Sequence, residues 1–350
     1  MSRTVIRGAR VVTMTPGRPD CEYIDLLIDN AHIVELGAGL PGEGAEVIDM
    51  TGRIIVPGLV NTHLHTWQTA LRSTGADSRS LGHLMNVHGY TADRFRADDL
   101  RIGALTGALN QINCGTTSIG DCCHNNPTPE HTDAAIQGLI ESGIRAVFMH
   151  GTPKRPPDVP HSRSEIERLL SGPLSDREAL VRPGMAINGP DYSDPIVALM
   201  DFRLAAEHNL MVSMHLAGGS ATEAEGWEAI DWAGLFSPRT NIVHGAGLTH
   251  ARLRRLVDYG ASFTCIREKE LGQHHSHSIL GRLLKLSAAP SLATDNECVV
   301  FRDILDVTRM SVAHQGIHER DASRAAAGVR GQVPLVSAGT SKQALSWATV

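Results

Sequence analysis

Val56-Pro-Gly-Leu-Val-Asn-Thr-His-Leu-His65 closes an apolar run with two histidines one residue apart. Read as a β-strand, it points residues two apart to the same side, so the imidazoles of His63 and His65 can converge on one ion. Neutral imidazole suits zinc and similar first-row metals, with Zn–N bonds near ~2.0–2.1 Å. A lone His-X-His is a weak signal, because short motifs carry false positives. Three later apolar runs also end on a ligand type: Met214-His215, Val243-His244 and Ala293-Thr-Asp295. Any one of these histidines alone would more often be an ordinary half-buried residue. Four strand ends offering His, His, His and Asp reverse that reading and look like a metal hydrolase.

Outward from this stretch, strand-like runs alternate with amphipathic helical stretches, the pattern of successive parallel βα units. Strands are predicted over 59–65, 116–121, 145–150, 185–188, 211–215, 241–244, 262–266 and 290–295. Helices are predicted over 97–113, 132–142, 195–208 and 250–259, among others. Eight units make an α/β chain with a (β/α)₈ TIM barrel, whose active site lies at the C-terminal strand ends, where the His and Asp residues fall. A doubly wound sheet is the structural alternative, disfavoured by eight strands and the lack of Gly-X-Gly-X-X-Gly. Before position 57 the texture changes to short alternating strands separated by Gly-, Pro- and Asn-rich turns. The expected division is a β-sandwich part over 1–56 and the barrel over 57–350. The segment 337–350 starts like a capped helix and stops mid-pattern without a C-cap, so a truncated end is expected.

At 350 residues the chain can bury a large core. Its net charge of −6, from 32 basic and 38 acidic residues with no basic run, gives no sign of a nucleic-acid or membrane surface. The start lacks a signal-peptide apolar region and no stretch reaches ~18 apolar residues, so a cytoplasmic location is expected. A small-molecule substrate is the expected partner; a homodimer or higher homo-oligomer is an option the sequence leaves open. The six cysteines show no zinc-ribbon or disulfide spacing, and Cys122 and Cys123 read as buried small residues. Only four lysines occur: Lys154, Lys269, Lys285 and Lys342.

Together these residues resemble the amidohydrolase superfamily, in its branch of cytosine-, adenosylhomocysteine- and chlorotriazine-type deaminases and hydrolases. The first-strand stretch matches, and Gly115-Thr-Thr-Ser-Ile-Gly-Asp121, His215, Val243-His-Gly245 and Leu292-Ala-Thr-Asp295 follow in order. The resemblance implies a barrel with a β-sandwich built from both termini, whose C-terminal part this chain lacks. It implies one divalent ion, zinc first and iron second, on His63, His65, His215 and Asp295. It implies a metal-activated water as nucleophile, with His244 and Asp295 catalytic: His244 polarising substrate and Asp295 moving the proton. Related dinuclear enzymes bridge two ions with a fourth-strand carboxylated lysine or glutamate; Gly184-Met-Ala-Ile-Asn-Gly-Pro190 holds neither, so one ion is expected.

One departure bears on chemistry. Deaminases of this branch usually carry a glutamate three residues after the fifth-strand histidine, as acid to the ring nitrogen; here that position is Gly218, with Glu223 and Glu225 nearby and read as solvent-facing. Free cytosine and simple adenosine compounds are therefore expected to be poor substrates. Substrate-binding candidates are Trp67 and Gln68 just after the metal pair, His150 at a strand end, Arg267 and Glu268 after the seventh strand, and His275 and His277 in the same loop. His88 and His124 are further pocket candidates; for His274, His275 and His277 a separate metal tract is the alternative, and solvated charge or barrel-mouth packing is the plain alternative for the others. The leading function is hydrolysis of a carbon–nitrogen (non-peptide) bond in a small polar cyclic or heteroaromatic compound. A metal-dependent lyase or dehydratase, or a truncated non-catalytic homologue, are the competing readings.

Overall fold

The computed structural model describes residues 3–78, 80–151, 156–216, 225–272, 278–299, 303–327 and 339–349. The chain divides into two compact units, Met1–Gly58 with Thr349–Val350, and Leu59–Ala348.

In the smaller unit the apolar run 5–13 does not form one continuous strand. Gly8 sits at φ +78, a conformation glycine adopts without strain, and divides it into β1 (Arg3–Arg7) and β2 (Arg10–Val11). The other strands are β3 (Glu22–Tyr23), β4 (Asp25–Asp29), β5 (His32–Gly37), β6 (Glu46–Asp49) and β7 (Ile54–Ile55). They form one sheet ordered β5-β4-β1-β6 and another ordered β3-β2-β7. Val11, Ile24 and Leu26 from both sheets share an apolar cluster, the sandwich-like arrangement that alternating residues produce.

The larger unit holds eight parallel strands in sequential order: β8 (Leu59–Leu64), β9 (Thr116–Cys123), β10 (Arg145–His150), β11 (Val181–Ile187), β12 (Met211–Leu216), β13 (Thr240–His244), β14 (Ser262–Cys265) and β15 (Ser291–Leu292). The helices are α1 (Ser80–His83), α2 (Ala97–Asn113), α3 (Pro129–Ser142), α4 (Arg163–Ser171), α5 (Pro195–Glu207), α6 (Glu225–Trp232), α7 (His250–Asp258), α8 (Arg267–Gly272), α9 (Leu280–Lys285), α10 (Ile304–Ala327) and α11 (Ser341–Trp347). Local chemistry sets their ends. Thr249 accepts from Arg252 N to start α7, Pro129 and a left-handed Gly143 bracket α3, and Thr340 forms a capping box with Gln343 at α11. Among the described residues no helix is long and apolar enough to cross a membrane.

The last barrel strand is shorter than predicted, and Thr294 N donates to the Asn61 side-chain Oδ1 (3.2 Å) in place of a strand carbonyl. Closure is completed by side chains and bridges instead. Asn61 donates to Gln111 Oε1 (3.0 Å) and Thr294 Oγ1 (2.7 Å), Asp295 N donates to His63 O (3.0 Å), and His65 N donates to Asp295 O (2.7 Å). The first and last strands are thus joined at the end that carries the predicted ligands.

Gly120 allows β9 to lie against β8: a Cβ there would stand 2.4 Å from Thr62 O. Backbone cannot yield as a side-chain tip does, so Gly120→Ala should cost about 1–3 kcal/mol and disturb the strand bearing His63. Chemical denaturation of the variant checks this; an unchanged midpoint and slope would show that the strands separate freely.

Candidate active site and metal centre

The metal pair is oriented by what lies behind it. His65 Nδ1–H donates to Cys122 O at 2.6 Å, which directs Nε2 inward, as an outer partner does for a metal-binding imidazole. His63 Nε2 lies 3.2 Å from His65 Nε2 and 3.0 Å from His215 Nε2. Asp295 Oδ1 is 3.2 Å from His65 Nε2 and 3.8 Å from His63 Nε2. Ligand atoms about a tetrahedral zinc stand ~3.3 Å apart at ordinary bond lengths, and the separations of His63 from His65 and His215 and of His65 from Asp295 fit one such ion.

The ring charges follow from burial. Burial, then the neighbouring His65, holds His63 well below the usual histidine range; burial and then His63 do the same to His215. Both are therefore neutral donors. His65 differs: burial opposes its proton, but Cys122 and Asp295 outweigh burial and raise it to about 10. Loading an ion must displace that proton. For Asp295, burial pushes the carboxyl up, yet Lys269 and His65 together pull it well below its ordinary value.

His244 ends β13 with Nδ1 3.4 Å from Glu270 Oε1, and Ile266 N donates to the same oxygen at 2.9 Å. His244 and Asp295 both adopt positive φ, +68 and +70. Non-glycine residues held so cost about 1–3 kcal/mol each and cluster at functional sites. The two residues predicted to be catalytic are thus both strained at strand ends.

Trp67 is buried and donates through Nε1 to His124 Nδ1 at 3.1 Å. His124 stacks on His65, ring centroids 4.4 Å apart, and His88 meets His124 edge-on at 4.5 Å. His88 lies on a π-helical turn, Leu84–Thr91, a form frequent at functional sites. Burial lowers His83 to about 4 and His88 to about 3, and holds His124 well below its ordinary value, so this wall of rings is uncharged. Gln68 is buried, and neither of its amide atoms has a hydrogen-bond partner among the described residues, the state expected of a group that meets a ligand.

Not every predicted residue joins this cluster. His150 is buried at the end of β10, with Nδ1 2.9 Å from His161 Nε2. Arg267 is buried, its pKa lowered by burial, and Glu268 is partly buried. Glu225 is exposed on α6, as read. Gly218, Glu223, His274, His275 and His277 lie outside the described residues.

Sequence reading missed four contributors. Lys269 forms a buried ion pair with Asp295 Oδ2, and Glu270 supports His244. Asp121, at the end of β9, accepts from Thr66 N (3.0 Å) and Thr66 Oγ1 (2.8 Å), fixing the turn between His65 and Trp67. Burial, opposed by those bonds, raises it to about 6. Cys122, read as a buried small residue, is buried; it also offers a ligand atom within 4.8 Å of those of His63, His65 and His215. The available signal was position: Arg267-Glu-Lys-Glu270 follows directly on a predicted barrel strand, at the end where the ligands gather.

A family model described as Amidohydrolase family matches residues 54–327. The chain belongs to the amidohydrolase family. Among similar proteins, a 5'-deoxyadenosine deaminase from Methanothermobacter thermautotrophicus is 28% identical over 289 residues, 77% of this chain and 64% of that protein. This amidohydrolase chain thus spans under two thirds of that relative's length. A guanine deaminase from C. acetobutylicum with bound guanine superposes with a TM-score of 0.80 at 17% identity, over 99% of this chain and 85% of that one. An atrazine chlorohydrolase from Arthrobacter aurescens TC1 complexed with zinc gives 0.77 at 20% identity, over 90% and 77%. These two likenesses establish the barrel fold.

Proposed function

We propose that this amidohydrolase is a metal-dependent hydrolase that acts on a carbon–nitrogen bond, other than a peptide bond, in a small polar heteroaromatic compound. The observation that carries the reading is the approach of His63 Nε2 to those of His65 and His215, at 3.2 and 3.0 Å, with Asp295 Oδ1 3.2 Å from His65 Nε2 and 3.8 Å from His63 Nε2. Zinc is the ion we assign, supported by the three imidazole nitrogens and one carboxylate; a single ion is supported by the absence of lysine or glutamate from 184–190. When bound, the ion supplies Lewis acidity and lowers the pKa of water toward ~7. Around it, Asp295 accepts a proton, His244 backed by Glu270 polarises the reacting carbon's substituent, and Gln68 offers its amide to the ring. Trp67 and His124 exclude water from one side.

The deaminase relative makes adenosine-type and purine compounds the first substrates to try. Gly218 stands where the branch usually has its ring-protonating acid, so those compounds should turn over slowly and groups that leave without that proton should turn over faster. Ammonia release from 5'-deoxyadenosine and guanine, compared with chloride release from a chlorotriazine, tests this. One positioned general acid contributes typically ~10²–10⁴-fold, so Gly218→Glu should raise deamination within that range. Efficient deamination by the unmodified chain would refute the leaving-group preference and place the acid elsewhere, with Glu223, Glu225, Glu268 and the His244–Glu270 pair next to test.

A further inference from the structure

The short helix after the seventh barrel strand buries charge at the strand ends. In α8, Arg267, Lys269 and Glu270 are all buried. Lysine is almost never so buried unless paired, because desolvating an ammonium is costly without a full counter-charge. Its partner here is Asp295, the residue at which the first and last strands meet. The two oxygens of that carboxylate are already divided: Oδ1 faces His65 and His63 and accepts from Asn296 Nδ2 at 3.2 Å, and Oδ2 faces Lys269 Nζ. Asp295 cannot readily swing away, since its N and O are bonded to His63 O and His65 N.

Resting on the metal-centre reading above, we propose that Lys269 is a positioning residue that holds the outer oxygen of Asp295, so that the carboxylate meets the ion through Oδ1 alone. An ionised carboxylate offers about four acceptor sites, so Oδ2 can hold Lys269 on one and keep another for the proton that Asp295 must take. Without the lysine, Oδ2 is free to turn to the ion beside Oδ1. The ammonium also stands across one carboxylate from a dication. Two effects on metal affinity then compete when Lys269 is removed. Loss of orientation weakens binding slightly, whereas loss of like-charge repulsion a few ångströms from the ion strengthens it by more. A lysine that merely filled space would give the opposite result, because its loss would loosen the site.

Zinc affinity, read by competition with a chromophoric chelator, and the visible spectrum of the cobalt(II)-loaded chain test the proposal without a known substrate. Lys269→Met should bind zinc ~10-fold more tightly than the unmodified chain, and its cobalt bands should weaken toward those of a higher-coordinate ion. Lys269→Arg, which keeps the charge, should resemble the unmodified chain in both. If the methionine variant does not fold, Lys269→Gln carries the same expectation with a polar side chain in the same space. Zinc affinity unchanged or weaker in a folded neutral variant would overturn the proposal. An unmodified chain without zinc affinity, or an Asp295→Ala variant that binds zinc as well as the unmodified chain, would instead sink the metal centre on which it rests.

Discussion

His63→Ala should lose its bound ion and at least ~10³-fold in turnover while remaining folded. The ion's charge stabilisation is worth several kcal/mol, and each 1.36 kcal/mol is roughly a factor of ten in rate. His63 has the central position: its Nε2 is 3.2 and 3.0 Å from those of His65 and His215, so its removal leaves the other donors without their common neighbour. The loss of a buried imidazole also leaves a cavity, and far-ultraviolet circular dichroism separates that effect from loss of the site. Full metal occupancy in the folded variant would remove His63 from the ligand set.

His244→Asn should lower turnover by ~10²–10⁴-fold, the contribution of one positioned acid or base, while keeping its metal. Asparagine is the instructive replacement because it retains a donor toward Glu270. Alanine would leave that buried carboxylate with one hydrogen bond fewer, a change that costs about 1–3 kcal/mol by itself, and would confuse catalysis with stability. Glu270→Gln, which keeps the shape and removes the charge, should give a smaller loss through His244. Near-normal turnover in His244→Asn would exclude His244 from the chemistry.

The barrel was legible because its strands are short apolar runs that stop on polar ligand types. The prediction for 145–150 coincides with β10, and those for 116–121 and 211–215 stop within two residues of the observed ends. Where sequence reading fell short, the reason was three-dimensional. The strand predicted over 290–295 ends at Leu292, and beyond it Thr294 N bonds to the Asn61 side chain, a contact distant in sequence that apolar patterning does not encode. In the smaller unit Gly8, at φ +78, divides the run 5–13 into two strands, a break that its apolar pattern does not show.

At the site, the histidines announced themselves by spacing, but their supports did not. Arg267 and Glu268 were the predicted residues of their segment, and both sit on α8. One helical turn then brings Lys269 and Glu270 to Asp295 and His244. Which members of a charged run turn inward depends on helical phase, and a six-residue helix is too short for periodicity to fix that phase. Cys122 and Asp121 were likewise hidden, because a strand end can aim either of two neighbouring residues at the pocket.

The most direct measurement is the metal content, by elemental analysis, of the full chain purified without added metal. The arrangement of His63, His65, His215 and Asp295, with no fourth-strand bridging residue, predicts about one zinc per chain. Two tightly held ions per chain, or undiminished hydrolysis by a chain holding none, would contradict it.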